Sequence, residues 1–483
     1  MTSPPRSTRH PVRIVHLGVG AFHRAHQAWY TQRANDAHGA NDAHGANDGG
    51  WGIAAFTGRS AEAARVLAAQ DAVYTLIERG PVADAATIVD ALSTVADGGD
   101  ARRWRAAVAD PAVAVVTLTV TEAGYRPAEA ARDTDRAALR AGAAAGKGAV
   151  TAAVSAPGRL VDGLRARREA GAGGLAIVSC DNLPGNGEIT RTAVLGLARE
   201  VDAGLAAWID AEVSFVSSMV DRIAPAATDA DRVVAERLTG FADQAPVVTE
   251  PFSEWVLSGE FPAGRPDWEV AGAQFVDDVV PYEQRKLWLL NAGHSLLAYR
   301  GLLRGHDTVA DAMADDAVTV ELEQLWAEAR TELPFDGATV DPFLAALRER
   351  FTNARIEHRL AQIAADGSQK LGPRVLDPLR SRRAAGRPPG EAEVGVLAAW
   401  AVHVRATARA ADGPGAGGAP APVRDILGAA LVERFGAAPD DAALAAAALA
   451  AVAPDLAADA PIVALLQRRI AEARAGLRPT PAR

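Results

Sequence analysis

The stretch from Tyr282 to Leu303, YEQRKLWLLNAGHSLLAYRGLL, holds the residues best suited to chemistry. On a uniform α-helix with Lys286 set at zero, Glu283, His294 and Asn291 fall at about 60°, 80° and 140°. All four polar groups therefore share one side. Leu287 and Leu290 lie in the same arc, and Trp288 and Leu289 lie opposite, so the helix is apolar nearly all round and reads as buried. Polar groups on a buried helix need partners or a cavity. Burial also pushes a lysine toward the range in which it accepts a proton near neutral pH. A lysine base beside an asparagine and a histidine suits proton removal from a substrate hydroxyl. The same spacing suits a structural Lys–Glu pair with a capped asparagine and a packed histidine, and the helix alone does not choose.

A second group is Gly18-Val19-Gly20, which follows an apolar run and opens a helical pattern. The first glycine permits a tight turn, and the second lets backbone approach a pyrophosphate at a helix N-terminus. The dinucleotide fingerprint wants a third glycine three residues on, where this chain has His23. An ordinary strand–helix turn therefore stays open. A carboxylate at the end of the second strand would hold a ribose 2′-hydroxyl, whereas an arginine would accept a 2′-phosphate. Here Gly58-Arg59-Ser60 follows that strand and the nearest acid is Glu62, so NAD and NADP both remain open.

The elements that must position these groups alternate. Val12–Leu17, Trp51–Thr57, Ala72–Glu78, Ala112–Val120 and Leu175–Ser179 read as strands, with helices at Phe22–Arg33 and Ala61–Gln70. Ala112–Val120 is almost wholly apolar, as in a parallel sheet buried on both faces. This alternation predicts a doubly wound α/β domain with ligands beyond the carboxyl ends of its strands. Three polar clusters fall there: Gly18–His26, Thr121–Tyr125 and Asp181–Asn186. From about Tyr282 helical patterns dominate, broken at Gly386–Gly390 and by residues 411–422. The expected division is a loose, disordered lead over 1–11, an α/β domain over 12–281 and a mainly helical domain over 282–483. The hexapeptide repeat AND-AHG at 34–48, with its glycines continuing to residue 50, reads as a solvated low-complexity loop.

Composition excludes several classes. The chain has 483 residues, 49% apolar and 23% charged, which fills a large core and suits two or three domains. Sixty acidic against fifty basic residues give a net charge of −10, which disfavours a nucleic-acid partner. One cysteine, Cys180, excludes an intramolecular disulfide and a cysteine-rich zinc site. No window reaches the length of a membrane span, and the N-terminus lacks the apolar core of a signal peptide. A soluble cytoplasmic protein without a membrane partner is the expectation.

Together the motifs resemble the mannitol dehydrogenase family, the polyol-specific long-chain dehydrogenases and their uronate-reductase relatives. The segments that carry the likeness are HLGVGAFHRAH (16–26), VTLTVTEAGY (116–125), SCDNLPGNG (179–187), MVDRIAP (219–225) and FVDDVVPYEQRKLWLLNAGHSLLAY (275–299). The resemblance implies a Rossmann-type domain, a helical C-terminal domain and an active site in the cleft between them. It implies metal-free, NAD(P)-dependent oxidation of a secondary alcohol. It makes Lys286 the general base, with Asn182 and Asn291 steadying the developing alkoxide. It has His294 orienting substrate, Asp221 tuning the lysine and Glu283 on the proton exit path. Cofactor contacts are expected from Gly18, Gly20, Ala21, Phe22, Arg59, Thr121 and Asn182. The missing third glycine is then a trait of the family.

Members divide between polyols and aldonates. Mannitol-type enzymes place an arginine eight residues before the lysine of a DG-x-x-K segment. Here the segment is DGSQK (366–370) and the earlier position is Gln362. The context HRLAQIAADGSQKLGPRVLDPLR (358–380) is similar to the fructuronate reductase (D-mannonate oxidoreductase) branch. An aldonate carboxylate calls for a guanidinium or an ammonium, and Arg359, Lys370 and Arg374 are the candidates. Glu122 would line the substrate channel or serve as a helix N-terminal carboxylate. The expected reaction interconverts D-fructuronate and D-mannonate. Mannitol or arabinitol oxidation is the alternative, and a non-catalytic NAD-binding sensor the remote one. The expected partner is a small sugar acid or polyol, and a monomer matches many relatives.

Overall fold

The computed structural model describes residues 3–41, 49–58, 60–144, 152–411 and 423–476. The chain divides into two compact units, Met1–Val280 and Pro281–Arg483.

The first unit is built on an eight-stranded sheet. Among the described residues the unit has eleven strands: β1 (Val12–Leu17), β2 (Gly52–Phe56), β3 (Tyr74–Arg79), β4 (Asp84–Val89), β5 (Leu92–Ala96), β6 (Val115–Leu118), β7 (Leu175–Ser179), β8 (Val213–Asp221), β9 (Val247–Thr249), β10 (Glu254–Ser258) and β11 (Gln274–Phe275). The main sheet runs β11-β10-β8-β7-β6-β1-β2-β5, and β4-β3-β9 form a separate small sheet. From β5 across to β8 all pairs are parallel. Six parallel strands in the order third-second-first-fourth-fifth-sixth are the doubly wound dinucleotide arrangement, with its switch point between β1 and β6. Every residue of β2, β6 and β7 is buried. The pleat sends Ile14, Val115 and Val178 to one face, with Tyr30, Trp255 and Trp268. It sends Val15, Val116 and Ile177 to the other, with Trp104, Leu160 and Val194.

Several local expectations are corrected. The lead is not loose from residue 6 to residue 9. Arg6 Nε lies 2.8 Å from Asp71, and Asp90 accepts the Ser7 amide at 2.7 Å and the Thr8 amide at 3.1 Å. The helix expected over Phe22–Arg33 breaks at His26 (φ −125°, ψ −88°) into α1 (Ala21–Ala25) and α2 (Gln27–Asn41). The helix α2 runs on into the first part of the AND-AHG repeat, which is therefore no loop as far as Asn41. The reason is Asn35: its amide donates to the Trp51 carbonyl and its oxygen accepts the Trp51 amide, both at 2.9 Å. Residues 42–48 of the repeat lie outside the described residues. The strand expected at Ala72–Glu78 belongs to the small sheet, paired with β4 and β9.

The second unit is helical among its described residues, apart from one isolated bridge between Thr308 and Arg359. Its longest helix, Glu391–Ala411, packs against Ala460–Ala475 and against Ala292–Leu303. No helix among the described residues is long and apolar enough to cross a membrane.

Candidate active site

The lysine segment is not one uniform helix. Val280–Arg285 is α-helical, Lys286–Asn291 is π-helical, and Ala292–Leu303 is α-helical again. A π turn closes on the fifth residue ahead, a register found chiefly at functional sites. Asn291 is that fifth residue, so the wider π turn brings it closer in angle to Lys286 than the roughly 140° of uniform α geometry. Glu283, Lys286, Asn291 and His294 are each less than 10% exposed. His294 packs its ring 4.6 Å from Phe351 and 4.8 Å from His358. Its Nε2 is buried and meets no hydrogen-bonding group. Burial first, then repulsion between its charged form and His358, Arg350, Arg374 and Lys286, holds the imidazole well below its usual pKa. A neutral ring with an unmet nitrogen is costly unless a ligand hydroxyl completes it.

A second π segment, Gly372–Leu376, packs against Lys286–Asn291. From it, Arg374 Nη1 donates to the Asn291 carbonyl at 3.3 Å and to the Ser295 hydroxyl at 3.2 Å. Arg374 thereby joins the lysine group. Lys370 is half-buried, with Nζ 3.4 Å from the Ile363 carbonyl. Arg359 and Gln362 stand apart from it: both are exposed, and Arg359 pairs with Glu357 at 3.0 Å.

In the first unit the sheet's switch point holds a cavity of about 530 Å³ lined by Gly18, Val19, Gly58, Thr119–Thr121 and Arg159. Gly18 has φ +106°, and a Cβ there would lie 2.1 Å from the Thr119 carbonyl oxygen. The amides of Gly18 and Val19 donate to the Phe56 carbonyl at 2.8 and 3.0 Å, which ties β1 to β2. Gly20 differs. The nearest protein atom to a Cβ there is 3.6 Å away, so the fold itself leaves room for a side chain. The cavity, its place beyond the strand ends and the bare backbone of Gly20 together fit a dinucleotide. Ala21 and Phe22 open α1, and the Phe22 ring stacks 5.1 Å from His26. His23, in the third-glycine position, is buried and stacked on His16 at 3.3 Å. Burial keeps both imidazoles far below their usual pKa, His16 at about 3. They brace the turn as neutral rings.

Arg59 lies outside the described residues. Glu62 is exposed and pairs with Arg65. A carboxylate reaches the end of β2 from the residue after β5: Asp97 accepts the Thr57 hydroxyl at 3.3 Å. Sequence reasoning had no means of finding it, because only the sheet order makes β5 the neighbour of β2.

The loops after β6 and β7 are held by Asp181, another residue that spacing did not single out. It accepts the Val120 amide at 2.9 Å, the Thr121 amide at 2.8 Å and the Tyr125 hydroxyl at 2.5 Å. These bonds hold Thr121 at φ +67°, a strained conformation for a residue with a Cβ. Burial still pushes the Asp181 carboxyl above its usual pKa, against the pull of these donors. The next residue, Asn182, is exposed just beyond the end of β7, and Glu122 is exposed in the first turn after Thr121. Asp221 ends β8 and is buried. Asp181→Asn is expected to cost about 2 kcal/mol, because one donor of the Val120–Thr121–Tyr125 set then faces an NH₂ group. Urea unfolding compared with wild type measures it.

Comparison with known proteins adds the following. Residues 12–270 match the mannitol dehydrogenase Rossmann domain, and residues 278–453 match the mannitol dehydrogenase C-terminal domain. The chain is 40% identical over 381 residues to the D-mannonate oxidoreductase of Escherichia coli K12, covering 76% of this chain and 75% of that protein. It is 38% identical over 383 residues to the mannitol 2-dehydrogenase of Cereibacter sphaeroides, covering 78% and 77%. Its structure is similar, at TM-score 0.76 and 31% identity, to Pseudomonas fluorescens mannitol 2-dehydrogenase in ternary complex with NAD and D-mannitol, covering 97% of this chain and 93% of that one.

Proposed function

The chain belongs to the mannitol dehydrogenase family, and on that premise we propose that it is an NAD-dependent oxidoreductase that interconverts D-fructuronate and D-mannonate. The observation that carries the reading is the buried set Lys286, Asn291 and His294, placed on a π turn and the helix that follows it.

At the turn after β1 a bound nicotinamide cofactor would supply the acceptor for a hydride from the alcohol carbon, or its donor in the reverse direction. The other steps belong to the chain. Lys286 Nζ takes the hydroxyl proton during oxidation and gives it back to the carbonyl oxygen during reduction. The amides of Asn291 and Asn182 donate to that oxygen as negative charge builds. The unmet Nε2 of His294 binds a neighbouring substrate hydroxyl. Glu283 passes the proton on from the lysine, and Asp221 tunes it. Gly18, Gly20, Ala21, Phe22, Arg59 and Thr121 hold the cofactor. The Asp97 carboxylate beside Thr57 supports NAD over NADP, since it suits a 2′-hydroxyl and repels a 2′-phosphate.

The basic surroundings of His294 and the Gln362 position support an acid as substrate. The similarity to two mannitol 2-dehydrogenases supports the second reading, mannitol to fructose. A screen of NADH and NADPH consumption against fructuronate, tagaturonate and fructose separates them. Rapid NADH oxidation with fructuronate is the expected result. Turnover of fructose alone would replace the uronate reading with the polyol one. The proposed location is the cytoplasm, where the single, buried Cys180 stays reduced.

A further inference from the structure

The structure separates the three basic residues that could meet a substrate carboxylate. Arg359 is exposed and already has Glu357. Lys370 has Asp366 and Asp425 as acidic neighbours. Arg374 has no carboxylate partner among the described residues. Arg374 is half-buried, and only its Nη1 is used, on the Asn291 carbonyl and the Ser295 hydroxyl. Among the described residues its Nε and Nη2 donate to no group. Burial pushes its pKa down to about 10.

A half-buried guanidinium without an anion is unfavourable. Lys370 lies close enough to Arg374 to feel its charge. A polyol would leave the guanidinium edge without an anion. A carboxylate would fill that edge by accepting two parallel N–H bonds.

We propose that Arg374 receives the substrate's carboxylate on its Nε–Nη2 edge while Nη1 stays on the Asn291 carbonyl. One side chain then anchors the acid end and fixes the residue whose amide faces the reacting oxygen. The chemistry of the substrate agrees. In D-mannonate the carbon that is oxidised stands four carbon–carbon bonds from the carboxylate carbon. An anchor and a base on two packed segments, as Gly372–Leu376 and Lys286–Asn291 are, suit that separation. The inference rests on the fructuronate–mannonate reading.

The test compares wild type, Arg374→Gln and Arg374→Lys on D-mannonate and on D-mannitol, with calorimetric D-mannonate binding and thermal melts as controls. Arg374→Gln is expected to raise KM and Kd for D-mannonate by roughly 10- to 100-fold, the value of a charge-assisted pair. Its effect on D-mannitol should be several-fold smaller, and Arg374→Lys should recover part of the D-mannonate loss. If kcat falls alike on both substrates while D-mannonate binding is unchanged, Arg374 only positions Asn291 and the inference is overturned. A wild type that neither binds nor turns over D-mannonate removes the substrate reading and this inference with it. A wild type active on D-mannonate with an unchanged Arg374→Gln removes this inference alone. If Arg374→Gln does not fold, Arg374→Lys carries the same comparison.

Discussion

Lys286→Ala is expected to lower kcat by roughly 10³-fold, the usual worth of a positioned general base, and to leave nicotinamide binding unchanged. Lys286 is 8% exposed and lies on a π turn, and truncation deletes the amine proposed to take the proton. Two further readouts separate chemistry from damage to the fold. Oxidation needs the neutral amine, so wild-type kcat/KM climbs as pH rises, and the variant loses that climb. Small primary amines added to the assay should restore part of the rate, because the deleted side chain leaves room for them. Steady-state absorbance assays across a pH series, beside fluorescence titration with NADH, measure all three. Unchanged turnover in Lys286→Ala would remove the lysine from the mechanism.

The features that could be read in the chain are those fixed by short-range pattern. Val12–Leu17 and Leu175–Ser179 are apolar runs bounded by polar or glycine residues, and they form the strands expected of them. The polar residues of the lysine segment were visible because buried apolar neighbours isolate them. Its π turn was not visible. Residues 286–291 show no local sign of that register; the segment packs against 372–376, and its Asn291 carbonyl accepts from Arg374, 83 positions on. Asp181 was hidden for the same reason, since its work is to accept amides 60 and 61 residues upstream. The lead from Arg6 to Arg9 looked loose on composition, yet the Asp90 carboxylate pins it. The repeat looked like a loop because Asn, Asp and Gly favour turns, but the Asn35–Trp51 pair outweighs that preference. In each case the deciding contacts are long-range and leave no local pattern in the sequence.

The two turn glycines should fail in opposite ways. Gly18→Ala is expected to cost about 3–5 kcal/mol of stability. The positive φ strains any residue with a Cβ, and the new atom would stand 2.1 Å from the Thr119 carbonyl. Relief requires moving β6 away from β1, which also breaks the 2.8 Å bond from the Thr119 hydroxyl to the Gly18 carbonyl. Gly20→Val should change stability by only about 0.5 kcal/mol, since φ is −122° and no protein atom crowds the Cβ. Its isopropyl group would instead fill the space left bare in front of the turn. Nicotinamide affinity should then fall by roughly 100-fold, because a phosphate can no longer approach the backbone. Thermal melts and NADH titration of both variants test the pair. A Gly20→Val protein that is stable and binds NADH as wild type would show that the turn is not the cofactor's seat, whatever Lys286 does.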